Sequence, residues 1–417
     1  MSTRQQYDVI VIGGGASGMM SAGRAAERGR KVLLIEKNKD LGKKLSITGG
    51  GRCNILNAEK EERKLLEYYG DASKFLHSPF SQHGMQDSWD FFERNGLPLV
   101  VEARKRAFPQ SQKAEDVTRT MRQFVIKNNV ELNTGTKVRS FIREKGVIVG
   151  VETSDGARFA KNFILATGGS SHQDTGSTGE GIEWLKKMGH TVHQPSPNIV
   201  PLVAEEDWVK GLSGTSLSFM KITFGADLTK AEGRFSRLGK ILFTHFGVSG
   251  PLILNAAHEV ERLLKGGAVH TTIDMYPDTE ISALQSRVLD IFDTSKNKTL
   301  KNIIKEFVPV GMSEGLSAQL SDEFLNTKVH SIGKEERRAL VQRLKAMPLT
   351  ITATKGLDWA VTSDGGVDLT EVDTKTMRSK MHKNLFFTGD VLHINRPSGG
   401  YSLQLCWTTG HVAGSSV

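Results

Sequence analysis

The sequence is poor in cysteine and proline and has no long apolar segment. Its two cysteines, Cys53 and Cys406, lie far apart and lack metal-ligand spacing, which argues against a disulfide framework or a cysteine metal centre and fits a reducing compartment. The apolar run at residues 9–12 stops at a glycine and is too short for a signal peptide or a membrane span. These absences predict a cytoplasmic protein that does not enter a membrane.

Charge and glycine content are the unusual features of the composition. The 417 residues include 43 glycines but 11 prolines, and 55 Lys and Arg against 46 Asp and Glu give a net charge of +9. The charges are dispersed: the tightest basic cluster is residues 104–106, and residues 334–338 mix both signs. We interpret this as a basic surface that favours anionic cofactors and substrates, and we keep a nucleic-acid partner as the alternative.

The N-terminal segment has the pattern of a βαβ unit. Residues 7–12 and 31–35 are typical of buried strands, and residues 19–28 between them are typical of a small-residue helix. Gly13, Gly15 and Gly18 form a G-x-G-x-x-G loop, and Glu36 follows Gly18 by 18 residues. In this context the loop binds the diphosphate of a dinucleotide at the helix N-terminus, and Glu36 accepts hydrogen bonds from ribose hydroxyls.

Later patterns predict an α/β chain whose first domain is discontinuous. A helix at residues 112–128 and a buried strand at residues 162–166 continue this domain, and a final helix is predicted at residues 403–413. The predicted domains are a Rossmann-type dinucleotide-binding domain at residues 1–195 and 346–417, an inserted β-rich domain at residues 196–278 and a helical subdomain at residues 279–345.

Further glycine-rich segments follow the βαβ unit. They are GGGRCN at residues 49–54, ATGG at 166–169, GSTGEG at 176–181, FTGD at 387–390 and GGY at 399–401. Arg52 and Asn54 among glycines offer donors to an anion, whereas Cys53 has no partner cysteine and is expected to be inert. Ser177 and Thr178 are also good N-cap residues, so a helix cap remains an alternative for the third segment.

These segments resemble those of flavoproteins of the glutathione-reductase and fumarate-reductase type. With FTHFGVSGP at residues 243–251, VTSDGGV at 361–367 and GGYSLQ at 399–404, they resemble more narrowly a bacterial family of NAD(P)/FAD-dependent oxidoreductases that includes aminoacetone oxidase and 3-dehydro-bile-acid reductase. The resemblance runs from residue 7 to residue 414. It implies FAD as cofactor and flavin-mediated hydride transfer on a small amine, carbonyl or enone substrate. The second redox partner would be O₂ or a transiently bound NAD(P)H.

The resemblance also implies which residues hold FAD. They are Gly13, Gly15, Ala16, Ser17, Gly18, Glu36, Lys37, Thr48, Gly49, Gly50, Gly51, Arg52, Cys53, Asn54, Val138, Thr167, Gly168, Gly389, Asp390, Gly400, Tyr401, Ser402 and Leu403. Asp390 is expected at the ribityl or diphosphate region, and residues 400–403 at the pyrimidine edge of the flavin. A helix N-terminus there would stabilise the negative charge of reduced flavin.

Few catalytic side chains are expected, because a flavin carries the hydride chemistry itself. His245 is the first candidate for substrate contact, although a histidine in an apolar context also suits a structural role. Arg52, Tyr401 and Arg396 are candidates for binding an anionic or carbonyl substrate. The sequence has no motif for hydrolytic, metal or dithiol chemistry, so no metal is expected.

Three positions depart from the family pattern. His172, His393 and Ser402 stand where tyrosine, an acidic residue and asparagine are usual. The departures leave the expectation of FAD in place but open the question of specificity. Two alternatives remain: a flavoprotein that acts on RNA, and a protein in which FAD is purely structural. The oligomeric state is left open.

Overall fold

The computed structural model describes residues 6–230 and 232–417, which divide into two compact units. The first unit contains residues 6–198 and 360–417, and the second contains Ile199–Trp359. Residues 1–5 and 231, which belong to two of the predicted domains, lie outside the described residues. No helix in the described part of the chain is long and apolar enough to cross a membrane.

The first unit is built on a seven-stranded sheet. In spatial order six strands are Glu131–Thr134, Val32–Glu36, Tyr7–Ile12, Gly156–Leu165, Val147–Thr153 and Val138–Glu144, and the seventh, Leu385–Phe387, also pairs with Gly156–Leu165. The pairs on either side of Tyr7–Ile12 are parallel, as is the pair with Leu385–Phe387. The carboxyl ends of these strands therefore meet at one edge, where α/β sheets bind ligands.

The predicted βαβ unit is present in this sheet. Val9, Ile10 and Val11 have no exposed surface, and the five residues of Val32–Glu36 are all buried. Strands buried on both faces need apolar side chains on both faces, which explains why the sequence shows continuous apolar runs here. The helix between them, Ala16–Glu27, begins three residues earlier than predicted.

Other helices and two small sheets complete the first unit. The helices are Glu62–Glu67, Ser73–Gln82, Met85–Arg94, Ala114–Lys127, Glu180–Lys187 and Tyr401–Ser416. One small sheet pairs Val192–Asn198 with Thr362–Val367, and the other contains Leu56–Asn57, Arg106–Pro109 and Leu99–Glu102.

The last helix packs closely against the first one through two glycines. A Cβ atom at Gly410 would lie 2.7 Å from the Ser17 carbonyl oxygen, and one at Gly414 would lie 2.4 Å from the Ser21 carbonyl oxygen. Such distances are too short for any side chain, so glycine is required for the two backbones to approach. This packing fixes the start of the last helix relative to the glycine loop that precedes the first.

The second unit contains a closed six-stranded barrel. Its strands, in spatial order, are Leu202–Ala204, Gly247–Ser249, Phe235–Thr244, Ser216–Gly225, Val269–Asp274 and Met347–Thr354. Its helices are Asp207–Gly211, Pro251–Leu264, Ile281–Thr294, Leu300–Ile303, Ser313–Ser317, Asp322–Asn326 and Lys334–Lys345.

The second unit differs from the predicted division of the chain. Met347–Thr354 pairs with two barrel strands, so the first unit resumes at residue 360 and not at the predicted residue 346. The helix Pro251–Leu264 lies within the segment expected to be β-rich. The helical segment expected at residues 279–345 belongs to the same compact unit as the barrel.

Candidate functional site

A cleft lies at the carboxyl edge of the seven-stranded sheet, within the first unit. Its walls border about 1230 Å³ of space that is free of protein atoms, part of which is open solvent. Thirteen of the predicted cofactor residues line it: Gly13, Gly15, Ala16, Ser17, Glu36, Lys37, Thr48, Val138, Thr167, Gly168, Asp390, Ser402 and Leu403. Segments that are far apart in the sequence and were predicted to bind the cofactor therefore meet at this cleft.

The three motif glycines have different surroundings. A Cβ atom at Gly13, whose φ is +106°, would lie 2.5 Å from the Ala166 carbonyl oxygen, and one at Gly18 would lie 1.8 Å from the Gly13 carbonyl oxygen. At Gly15 a Cβ atom would meet nothing within 4 Å. Gly13 and Gly18 are thus required by the fold, whereas the space at Gly15 is left open on the cleft side, where a diphosphate would approach.

Glu36 is held at one end of the cleft by backbone donors. The Gly14 amide donates to Glu36 Oε2 at 2.7 Å, and the Asn38 amide donates to Oε1 at 2.8 Å. Oε1 also accepts from the Asn38 side-chain amide at 2.8 Å, so Oε2 is the oxygen that keeps a lone pair for a ligand hydroxyl. The side chain is therefore fixed in place and still able to accept hydrogen bonds from a ribose.

The opposite wall is organised by the buried guanidinium of Arg396. This group forms an ion pair with Asp390, donates to the Ser402 hydroxyl at 3.1 Å and donates to the Ile394 carbonyl at 2.6 Å. Ser402 lies in the first turn of the helix Tyr401–Ser416, which begins after Gly400 with its φ of +99°. The cleft thus receives the positive end of a long helix together with an aspartate held in a fixed orientation.

Two buried hydroxyl groups on the cleft wall have no hydrogen-bond partner. They are Thr167 Oγ1 and Thr362 Oγ1, and both residues line the cleft. A buried polar atom without a partner is costly, so these groups favour a polar ligand. With the open space at Gly15 and the acceptor at Glu36, they fit a bound dinucleotide.

Comparison with known proteins supports the same cofactor class. The family model described as the HI0933-like protein Rossmann domain matches residues 7–416 of this chain. The chain belongs to this HI0933-like family. This confirms the resemblance inferred from the motifs, the Rossmann-type fold class and FAD as the cofactor; the protein is an FAD-dependent oxidoreductase.

Curated members of this group align with nearly the whole HI0933-like chain. The 3-dehydro-bile acid delta(4,6)-reductase of Clostridium scindens is 28% identical and covers 98% of each chain. The ribosomal RNA dihydrouridine synthase of Escherichia coli is 25% identical over 97% of this chain and 96% of its own length. Among solved structures, the 3-ketosteroid delta1-dehydrogenase of Sterolibacterium denitrificans matches with a TM-score of 0.55 at 14% identity over 98% of each chain, which shows a shared fold.

Ten of the predicted cofactor residues do not line the cleft. They are Gly18, Gly49, Gly50, Gly51, Arg52, Cys53, Asn54, Gly389, Gly400 and Tyr401. Two of them, Gly389 and Gly400, lie where the chain packs closely against neighbouring segments. A Cβ atom at Gly389 would lie 2.7 Å from Ser17 Oγ, and one at Gly400 would lie 2.2 Å from the Leu56 backbone. Burial raises the pKa of Cys53 to about 12, which keeps the thiol protonated and unreactive.

The three candidate catalytic residues are not gathered in the cleft of this HI0933-like chain. Arg52 donates from Nε to the Gln112 side chain at 2.8 Å and forms an ion pair with Glu102. Tyr401 stacks on Tyr68 with a ring separation of 4.6 Å. His245 is exposed in a turn of the second unit. Their assignment as catalytic residues stays a prediction.

The histidines that depart from the family pattern also lie outside the cleft lining. His393 stacks on His193 with a ring separation of 3.9 Å, and the Gly365 amide donates to its Nδ1 at 3.2 Å. His172 has a φ of +48°, and its Nδ1 atom lies 4.0 Å from Asp174 Oδ1. Both are held by neighbours of their own, and only Ser402 among the three departures lines the cleft.

Several cleft residues were not among the predicted cofactor residues. They include Asn38, Lys43, Lys44, Thr136, Lys137, residues 175–180, Trp184, Val361, Thr362 and Cys406. Residues 176–181 carried a visible signal, since their glycines and hydroxyls suit a ligand wall as well as a helix cap. Lys37 Nζ donates to Thr178 Oγ1 at 2.9 Å, which ties this segment to the predicted site. Nothing in the sequence distinguished Lys43, Lys44 and Lys137 from ordinary surface lysines.

Proposed function

We propose that this FAD-dependent oxidoreductase reduces a carbon–carbon double bond conjugated to a carbonyl group. One observation carries the proposal: two full-length relatives with different substrates have names that describe this same bond change. A delta(4,6)-reductase of a 3-oxo bile acid saturates double bonds conjugated to a ketone. A dihydrouridine synthase saturates the ring double bond of uridine, which is conjugated to a carbonyl. The shared chemistry is an enone reduction, and the substrates differ in what surrounds the enone.

In this proposal the cleft residues would hold FAD. The open space at Gly15 and the N-terminus of the helix Ala16–Glu27 receive the diphosphate, and Glu36 binds the adenosine ribose. Asp390, fixed by Arg396, accepts hydrogen bonds from the ribityl hydroxyls. These roles follow from the donors and acceptors on the cleft wall.

Bound FAD supplies the hydride chemistry, and the protein orients the substrate and adjusts the electrostatics. The N-terminus of the helix Tyr401–Ser416 would supply positive potential to stabilise the negative charge that develops on the flavin when it is reduced. Burial and the neighbouring Tyr68 raise the pKa of Tyr401, so its hydroxyl stays protonated at neutral pH and is a weaker acid than an ordinary tyrosine. Arg52 is oriented by Gln112 and Glu102, which accept from its Nε and Nη2 atoms.

Reduced nicotinamide should bleach the visible absorbance of the bound flavin under anaerobic conditions, and an enone should restore it. The measurement is stopped-flow absorbance after mixing with NADH or NADPH, followed by 4-androstene-3,17-dione or a 3-oxo-4,6-diene steroid. Cyclohexanone, which has the carbonyl without the double bond, is the control and should not reoxidise the flavin. Failure of every enone while O₂ or an amine substrate exchanges electrons with the flavin would contradict the proposed function.

An RNA substrate is the second candidate, favoured by the net charge of +9 and by the names of the dihydrouridine synthase relatives. It predicts that the chain binds ribosomal RNA and that log K falls linearly with log salt concentration. Binding is measured by filter retention over a series of salt concentrations, and dihydrouridine is measured in the RNA afterwards. No retention on RNA or heparin at low salt would exclude this substrate.

A further inference from the structure

Lys44 is a cleft residue whose position is set by the glycine loop. The Gly42 amide donates to the Gly14 carbonyl at 2.9 Å, which pins the turn that carries Lys44 against the loop. Across the cleft wall, Lys44 Nζ donates to the Ser171 carbonyl at 2.7 Å and to the Ser171 hydroxyl at 3.2 Å. The ammonium group is therefore held beside the segment that follows Thr167 and Gly168, and the turn that carries Lys44 is held against the glycine loop.

This ammonium has no carboxylate partner. Among the residues that the structure describes, its hydrogen bonds go to Ser171 alone, and none of the ion pairs includes it. Burial lowers the pKa of Lys44, and the nearby Asp390 offsets part of that effect. A largely shielded cation whose charge is only partly offset by a nearby carboxylate is unfavourable, so the site is suited to an anion.

Other charged groups on the cleft wall differ from Lys44 because they have a partner of opposite charge or are exposed to solvent. Asp390 is paired with Arg396, and Glu180 is paired with both Lys37 and Lys137. Lys43 is exposed and donates to the Asp174 carbonyl at 2.6 Å. Lys44 is thus the shielded positive charge on this wall that a ligand anion can neutralise.

We propose that Lys44 is the counter-charge for the diphosphate of FAD. Its remaining N–H groups and its charge complement the backbone amides of the glycine loop, which bind phosphate oxygens without carrying a full charge. The diphosphate is favoured over other anions because the turn of Lys44 is hydrogen-bonded to the glycine loop itself. The inference depends on FAD binding and not on the identity of the substrate.

The test compares FAD affinity in variants that remove or keep the charge. Lys44→Gln keeps an N–H donor for Ser171 but loses the charge, and it should raise the dissociation constant of FAD about 10- to 100-fold. Lys44→Arg should stay within a few-fold of the unmodified protein. The holoprotein is diluted, free FAD is measured after ultrafiltration, and ADP and adenosine are added as competitors. Lys44→Gln should weaken competition by ADP and leave competition by adenosine unchanged.

Lys39→Met is the matched control, because Lys39 is an exposed lysine of the same loop that does not line the cleft. Equal FAD dissociation constants for Lys44→Gln and Lys39→Met would overturn the proposal, as would equal losses of ADP and adenosine competition. If Lys44→Gln binds oxidised FAD normally but lowers the midpoint potential of the flavin, the charge acts on the ring system and the diphosphate assignment is wrong. If Lys44→Gln does not fold, the same comparison is made with Lys44→Met. Because the assay contains no substrate, its outcome is independent of the enone proposal.

Discussion

Alanine at Gly15 is expected to weaken FAD binding by about 10- to 100-fold while the fold stays intact. The added Cβ atom would meet no protein atom within 4 Å, and the φ of −78° at Gly15 is ordinary for an L-amino acid. The only space it fills is the space through which a diphosphate would approach the backbone amides. The bound flavin is measured by its visible absorbance and by ultrafiltration, and folding is measured by far-UV circular dichroism.

Two other glycines provide controls for this experiment. Gly18→Ala should disrupt folding, because its Cβ atom would lie 1.8 Å from the Gly13 carbonyl oxygen. Gly211 lies at an exposed helix end, and a Cβ atom there would meet nothing within 4 Å. Gly211→Ala should therefore change neither FAD binding nor folding. Normal FAD binding by Gly15→Ala would mean that the diphosphate does not pass this residue, and the assignment of the glycine loop would have to be abandoned.

The first βαβ unit could be predicted from the sequence because its determinants are local. Burial of residues 9–12 and of Val32–Glu36 requires apolar residues on both faces, and the tight turn between strand and helix requires glycine at positions 13 and 18. The barrel was harder to predict. The strand character of Met347–Thr354 is visible in the sequence, but its pairing with Leu202–Ala204 and Val269–Asp274 depends on contacts between residues far apart in the chain.

The same distinction applies to the cleft. The glycine loop and Glu36 are close in sequence, and their spacing alone indicates a diphosphate and a ribose. Lys44 has the same appearance in the sequence as Lys43, yet only its hydrogen bonds to Ser171 bring it into a shielded position. Residues 49–54 show the opposite case: glycines beside Arg52 suggest a ligand loop, and this assignment stays a prediction, while the structure pairs Arg52 with Gln112 and Glu102.

Acid should destabilise the first unit through two stacked histidines. The rings of His83 and His411 lie 4.1 Å apart and 15° from parallel, and His83 Nε2 and His411 Nδ1 are buried without hydrogen-bond partners. Burial lowers the pKa of His83 to about 3 and that of His411 to about 4; neighbouring positive charges, including the other ring in the case of His83, add to the effect. Both histidines are therefore neutral in the folded protein at neutral pH.

The direction of the pH effect follows from these values. The unfolded chain binds a proton on each histidine near pH 6.5, whereas the folded chain does not until the pH is far lower. The contribution to stability is fully present above pH 6.5 and is lost as the pH falls toward the folded pKa values. Between pH 7 and pH 5 the loss should be about 2 kcal/mol for each histidine. It is measured as the shift of the urea unfolding transition, followed by far-UV circular dichroism in saturating FAD.

Replacing both histidines with phenylalanine should remove most of this pH dependence. Phenylalanine keeps a ring at each position and cannot bind a proton, so the urea midpoint of the His83→Phe, His411→Phe protein should change less between pH 7 and pH 5. His77→Phe is the control, since the His77 side chain is 53% exposed and its loss should leave the slope unchanged. An equally steep acid dependence in the double variant would show that other groups, such as the paired carboxylates, cause the loss of stability. Because His411 lies on the helix that starts at the cleft, a flatter profile should be accompanied by better retention of FAD at pH 5.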